Sequence, residues 1–230
     1  MSVGRIAAAT SVSVVLSSCA TVEQSTSSIA FQEAFDGAEY CALEAVQQQS
    51  ESVCGLACLE SMLDYWELDG TQDVLAGANP PEADSGYSLA ELKAIAEGRG
   101  LTAFSVSFEP DPLPLLHSQL ERGRPTLLAI RCPLGRYFGD PIPVIEYLDS
   151  TVISASLRED QFTRTAIAST GDRMKDHFVV AFGYDKAAKK ILLMDPAYGL
   201  VSISEGRLLT FWGDQNYSAL VCARTAVVES

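Results

Sequence analysis

The chain has 230 residues, of which 47% are hydrophobic and 20% are charged, and this composition excludes an intrinsically disordered protein. Thirty acidic residues against sixteen basic ones give a formal net charge of −14, which disfavours binding to nucleic acid or anionic lipid headgroups. The two histidines, His117 and His177, are not grouped with paired cysteines, so we expect neither a metal site nor a cofactor.

The N-terminal residues carry the pattern of an export signal. Arg5 precedes a short apolar run over residues 6–16, and small residues follow it, so residues 1–18 are predicted to be a secretory signal peptide. Leu-Ser-Ser before Cys19 resembles the bacterial lipoprotein cleavage box, in which the cysteine becomes the lipidated N-terminus. The alternatives are plain secretion and a cytosolic protein with a chance match to this short motif. Ala20 in place of Asp favours the outer membrane, facing the periplasm.

Residues 19–40 are polar and have the composition of a flexible tether, so we expect the folded domain to cover residues 41–230. Export also changes what the cysteines indicate. In an oxidising compartment a disulfide could form among four of them, or they could be small buried hydrophobic residues; these are Cys41, Cys58, Cys132 and Cys222.

Helices are predicted first along the domain. Val53–Trp66 is apolar around nearly its whole circumference, which indicates a central buried helix. Ser88–Gly98 is amphipathic and begins with a capping box of Ser88 and Glu91. Pro112–Arg122 is predicted to be a third helix.

Strands dominate the second half. The predicted strands are Thr102–Phe108, Thr126–Cys132, His177–Tyr184, Ile191–Met194, Leu200–Ile203 and Asn216–Ala223. Helices followed by antiparallel hairpins predict an α+β fold, with the N-terminal helices packed on a C-terminal sheet. Residues 133–175 show no clear period, so we interpret them as an insertion or lid whose Tyr137 and Phe138 contact substrate.

Three polar residues are placed for nucleophilic catalysis. Cys54 begins the buried helix, where the helix dipole favours a thiolate, and Gly55 beside it is expected to leave room for a substrate carbonyl. His177 is the candidate base. Asp195 ends the following strand, so in a hairpin it lies at the same edge of the sheet as His177 and could fix the imidazole tautomer.

An oxyanion donor is expected just before the helix. Three consecutive glutamines precede Cys54, and a side-chain amide donates a hydrogen bond without adding charge. Gln48 is the first choice, and Gln47 or Gln49 could replace it in the role.

Together these motifs resemble the bacteriocin-processing cysteine peptidases. The family pattern of Gln, five residues, then Cys-Gly with Ala two further on matches residues 48–57, and the later His with apolar residues and Asp-Pro match His177 and Asp195. The resemblance covers about residues 43–223. It implies a papain-like fold with Gln48 as oxyanion donor, Cys54 as nucleophile, His177 as base and Asp195 as its orienting partner.

The sequence therefore predicts a cysteine endopeptidase that cuts an exported or surface peptide or protein. We expect a membrane association through lipidated Cys19, no nucleic-acid partner, and an exporter or surface-protein system as a further partner. An acyl transferase or amidase with the same triad is the alternative enzyme. A peptide-binding module that no longer cuts is the alternative outside catalysis.

Overall fold

A computed structural model describes residues 25–27, 29–82, 86–133, 140–141, 145–148, 151–154 and 174–224. Its α-helices are α1 (Ile29–Ala34), α2 (Cys54–Tyr65), α3 (Gln72–Ala78), α4 (Leu89–Gly98), α5 (Pro112–Leu120) and α6 (Glu205–Gly213). Its strands are β1 (Glu39–Tyr40), β2 (Leu101–Ser107), β3 (Thr126–Pro133), β4 (Asp140–Pro141), β5 (Ile145–Leu148), β6 (Thr151–Ser154), β7 (Met174–Asp185), β8 (Lys190–Asp195), β9 (Gly199–Ser204) and β10 (Ser218–Arg224).

One antiparallel sheet forms the centre of the molecule. Its strands follow the order β2-β10-β3-β7-β8-β9-β4, and the short β1 also pairs with β7. Strands β5 and β6 form a separate hairpin. This combination of helices and an antiparallel sheet confirms the predicted α+β, papain-like fold class.

Helices cover both faces of the sheet. In the first core, α2 and α4 pack against Leu127, Val180 and Leu192. In the second core, α5 and α6 pack against the neighbouring residues of the same strands, which are Leu128, Val179 and Leu193. Successive side chains of a strand point to opposite faces, so a strand buried on both faces is apolar at every position. This explains the uninterrupted apolar runs of β3, β7 and β8.

The predicted helices are confirmed with small shifts at their ends. Helix α2 spans Cys54–Tyr65, with a 3₁₀ turn at Glu51–Val53 before it. The capping box of α4 is present: the Glu91 N–H donates to Ser88 Oγ at 3.3 Å, and the Ser88 N–H donates to Glu91 Oε2 at 2.7 Å.

Other expectations were wrong in detail. Strand β7 begins at Met174, so His177 lies inside the strand and does not open it. The predicted tether, residues 19–40, contains α1, whose Phe31 is fully buried in the first core.

Several predictions fall on residues outside the described part of the chain. These are the signal peptide at 1–18, the lipidation site Cys19, and the proposed substrate contacts Tyr137 and Phe138. Within the described residues, every helix is too short or too polar to cross a bilayer.

Candidate active site

Cys54 is the first residue of α2, a largely buried helix that packs against the sheet. It is half-buried and its sulfur interacts with the His177 side chain and with the N–H groups of Phe178 and Gly55. Helix α2 continues from the preceding 3₁₀ turn, so the sulfur stands at the positive end of the helix dipole. The fold thus brings together a thiol from the helical half and an imidazole from the β half of the chain.

The predicted pairing of His177 with Asp195 is present in the structure. Strands β7 and β8 form an antiparallel hairpin with Val180 opposite Met194, which brings His177 and Asp195 to the same edge. His177 Nε2 lies 3.1 Å from Asp195 Oδ1, and their side chains are 11% and 0% exposed. With Nε2 engaged by the carboxylate, Nδ1 is the ring nitrogen left for Cys54.

A local turn holds the Asp195 carboxylate in place. The Ala197 N–H donates to Asp195 Oδ1 at 2.8 Å, and the Tyr198 N–H donates to the Asp195 carbonyl at 3.1 Å. Pro196 between them fixes the backbone at the end of β8. The carboxylate is therefore oriented before any substrate binds.

Charge and hydrogen bonding favour a thiolate on Cys54. Burial raises the pKa of the thiol, but hydrogen bonding and charge from His177 and the two N–H groups outweigh burial and bring the pKa below its usual range. Burial lowers the pKa of His177, yet the charge and hydrogen bond of Asp195, with a further contribution from Cys54, raise it to about 10. The two groups stabilise each other as thiolate and imidazolium.

The thiols of the other described cysteines have raised pKa values, in contrast to Cys54. Burial raises the pKa of Cys58 well above its usual range, that of Cys41 to about 11, and those of Cys132 and Cys222 to about 12. All are buried free thiols, which agrees with the interpretation of small hydrophobic residues. Cys54 is thus distinguished from them by charge as well as position.

Gln48 is the glutamine that the structure brings nearest to the Asp195 turn. Its N–H donates to the Pro196 carbonyl at 2.8 Å, and its side chain is partly buried, whereas Gln47 and Gln49 are exposed. Gln48 Oε1 is buried and has no hydrogen-bond partner in the described part of the chain. Of the three glutamines, Gln48 therefore fits the site best.

Close packing explains why position 55 is a glycine. Gly55 is buried, and a Cβ on it would lie 2.8 Å from Leu92 Cδ1 and 3.1 Å from Phe178 Cδ2. There is thus no room for a larger side chain between α2, α4 and β7. The contact of Gly55 with a substrate carbonyl stays a prediction.

The remaining histidine lies elsewhere. His117 is in α5 on the second core, where its ring stacks on Tyr184 with centroids 4.2 Å apart and its Nε2 lies 3.5 Å from Glu205 Oε1.

The sequence did not predict two groups that contact the site residues. The Phe178 N–H, next to the base, interacts with the Cys54 sulfur, and the buried side chain of Gln72 bonds the backbone on either side of Gln48. Both contacts join segments far apart in the chain, so no local pattern could have indicated them.

Part of the chain matches a known peptidase family. Residues 42–121 match the model of the Peptidase C39 family, a range that includes Gln48 and Cys54. No curated protein matches the sequence. The match confirms the resemblance that the motifs indicated, and with it the prediction of a cysteine peptidase.

Solved structures with a similar fold include three peptidases. A protein described as a C39-like peptidase from Bacillus anthracis has a TM-score of 0.50 and 15% identity, over 79% of this chain and 94% of its own. A double glycine motif protease from the AMS/PCAT transporter, solved in complex with the leader peptide, has a TM-score of 0.50 and 17% identity, over 81% of this chain and 94% of its own. The peptidase domain of Streptococcus ComA has a TM-score of 0.50 and 13% identity, over 79% of this chain and 98% of its own.

Proposed function

We propose that this cysteine peptidase hydrolyses a peptide bond of an exported or surface peptide or protein, with Cys54 as nucleophile, His177 as acid and base, Asp195 as its orienting partner and Gln48 as oxyanion donor. The observation that carries the proposal is the Cys54 thiol, whose pKa is lowered beside an imidazole that a fully buried carboxylate contacts at 3.1 Å. Such a carboxylate holds the imidazole in one tautomer and orientation and stabilises its charged form.

Acylation uses the thiolate and the imidazolium together. The Cys54 sulfur attacks the carbonyl carbon and forms a C–S bond, while the C=O electron pair moves onto the oxygen. The Gln48 amide and the Cys54 N–H donate hydrogen bonds to that oxyanion. When the C–N bond breaks, His177 gives its proton to the leaving amine, and a thioester remains on Cys54.

Deacylation reverses the proton transfer. His177 takes a proton from water, the resulting hydroxide adds to the thioester carbonyl, and the C–S bond breaks to return the thiolate. Asp195 keeps the imidazole oriented in both steps and stabilises its charged form. No proton is gained or lost by the enzyme over the cycle.

The proposed setting is the periplasmic face of the outer membrane, with lipidated Cys19 as the anchor. The support is the signal pattern of residues 1–18 and the Leu-Ser-Ser-Cys box. The strongly acidic chain would be repelled by anionic headgroups, so a covalent lipid is the more effective means of attachment. A peptide substrate is supported by the double glycine motif protease of similar fold, which was solved with a leader peptide.

Thiol labelling tests the proposed nucleophile. At neutral pH we expect iodoacetamide to alkylate Cys54 ahead of the other cysteines, located by peptide mass spectrometry, and His177→Ala to slow this alkylation by at least about tenfold. Cys58→Ala is the matched control, since it removes a thiol one helical turn away and leaves the triad intact. Equal labelling of Cys54 in the parent and in His177→Ala would contradict the proposal.

Cell experiments test the substrate and the anchor. Peptides released by a Cys54→Ala strain and its parent should differ at specific bonds; an unchanged set, with labelling intact, would favour acyl transfer to an amine. Cys19→Ala should release the protein from the membrane fraction. A variant that still partitions with membranes would contradict the lipid anchor.

A further inference from the structure

We propose that Gln72 is a positioning residue for Gln48: its side-chain amide fixes the backbone on both sides of the oxyanion donor. The inference rests on the proposed function, in which Gln48 donates to the oxyanion. Gln72 is the first residue of α3 and is 4% exposed. A buried amide must satisfy its polar atoms within the protein, so its partners show what it holds.

Both ends of the Gln72 amide are used on the same short segment. Nε2 donates to the Gln47 carbonyl at 3.0 Å, and Oε1 accepts from the Gln49 N–H at 3.2 Å. From the opposite direction, the Gln48 N–H donates to the Pro196 carbonyl at 2.8 Å. The segment is thus held between Gln72 on one side and the turn that carries the Asp195 carboxylate on the other.

Gln72 also connects this segment to the helix of the nucleophile. Its own N–H donates to Glu60 Oε2 at 2.9 Å, and Glu60 lies in α2 with Cys54. Gln72 therefore stands between α2 and the Gln48 segment and fixes their separation. An oxyanion hole formed by the Gln48 side chain and the Cys54 N–H depends on that separation.

The Gln48 side chain has little else to orient its oxygen. Oε1 is buried without a hydrogen-bond partner among the described residues, so the backbone on either side must supply the order. Misplacing a catalytic group by about 1 Å can reduce the rate about 100-fold, and losing one oxyanion donor costs about 100- to 1,000-fold. Loosening the Gln72 bonds should therefore reduce acylation by less than deleting Gln48.

Gln72→Met tests the inference, since it keeps the length of the side chain and removes both hydrogen bonds. With full-length protein and p-nitrophenyl acetate as the acyl probe, we expect kcat/KM to fall about 10- to 100-fold. Alkylation by iodoacetamide should change less than about twofold, because that reaction needs the thiolate but forms no oxyanion. Gln72→Glu, which keeps only an acceptor for the Gln49 N–H, should show part of the same loss and serves if the Met variant does not fold.

Combining the variants shows whether Gln72 acts through Gln48. In a Gln48→Ala background, Gln72→Met should lower kcat/KM by less than about twofold further, since the group it positions is absent. Asn79→Ala is the control at the C-terminal cap of α3: it removes the bond from Asn79 Nδ2 to the Leu75 carbonyl, 3.0 Å, and should leave kcat/KM unchanged.

Two results would overturn the inference: independent, multiplying losses from the Gln48 and Gln72 changes, or an equal loss of iodoacetamide alkylation in Gln72→Met. Failure of the proposed function is a different result. In that case the parent itself would show neither ester hydrolysis nor alkylation that depends on Cys54.

Discussion

Replacing Asp195 by Asn tests the charge on which the site depends. Asp195 is fully buried, and the Ala197 N–H donates to its Oδ1 at 2.8 Å. Asn has the same size and keeps an oxygen that can accept this hydrogen bond. What the substitution removes is the negative charge 3.1 Å from His177 Nε2. Among the described residues, Cys54 would then be the only other group whose charge raises the pKa of His177.

The strength of the attraction between Asp195 and protonated His177 follows from the distance between Oδ1 and Nε2. Two unit charges 3.1 Å apart attract by about 5 kcal/mol at an effective dielectric constant of about 20. A pKa raised from 6.5 to about 10 corresponds to about 5 kcal/mol, at about 1.4 kcal/mol for each unit. The carboxylate is thus strong enough to keep His177 protonated against the opposing effect of burial.

The direction of the pKa change at Cys54 follows from its coupling to the protonation of His177. Without the carboxylate the pKa of His177 falls, and at neutral pH the imidazole loses its proton. The Cys54 thiol then loses the charge and hydrogen bond that lower its own pKa, so that pKa rises. The thiolate consequently forms only at higher pH.

The assay is the rate of alkylation by iodoacetamide from about pH 5 to about pH 10, followed by intact-protein mass spectrometry. For Asp195→Asn we expect the acid limb of the profile to move up by at least about one pH unit and the rate at neutral pH to fall at least about tenfold. Circular dichroism confirms that the variant is folded.

Asp176→Asn is the matched control. Asp176 adjoins His177 in sequence, but its side chain is 71% exposed, so the same chemical change occurs in a solvated position. Its profile should coincide with that of the parent. A folded Asp195→Asn protein with the parent's profile would refute the reasoning, because the charge of His177 would then not depend on Asp195.

Stability measurements by urea unfolding check the remaining predictions. Gly55→Ala should lower the free energy of unfolding by about 1–3 kcal/mol, because the added Cβ lies 2.8 Å from Leu92 Cδ1. Gly77→Ala, whose Cβ meets nothing within 4 Å in α3, should raise it by about 0.5–1 kcal/mol; equal effects at the two glycines would contradict the packing argument. Ser88→Ala should cost about 1 kcal/mol through loss of the cap and leave alkylation of Cys54 unchanged; an unchanged stability would show that the capping box contributes nothing.

The local sequence was enough to predict much of the fold. The apolar helix after Val53, the capping box of α4 and the apolar strands were located within a few residues, because helix caps and apolar periodicity depend on neighbours in sequence. The hairpin placed His177 beside Asp195, since antiparallel strands joined by a short turn must bring their outer ends together. Helices α3 and α6 were missed because short helices give a weak periodic signal; α5 is no longer than α6, but it begins with Pro112, a residue typical of a helix start.

The sequence by itself determined the fold class, the motif set and the hairpin that joins base and carboxylate. Only the tertiary structure decided why Gly55 is a glycine, which of three adjacent glutamines has a partly buried side chain, and that Gln72 bonds the backbone on either side of it. These features depend on contacts between residues distant in the chain, whose separation is set by packing across α2, α3 and the sheet. Such contacts leave no periodic or local pattern in the sequence from which they could be predicted.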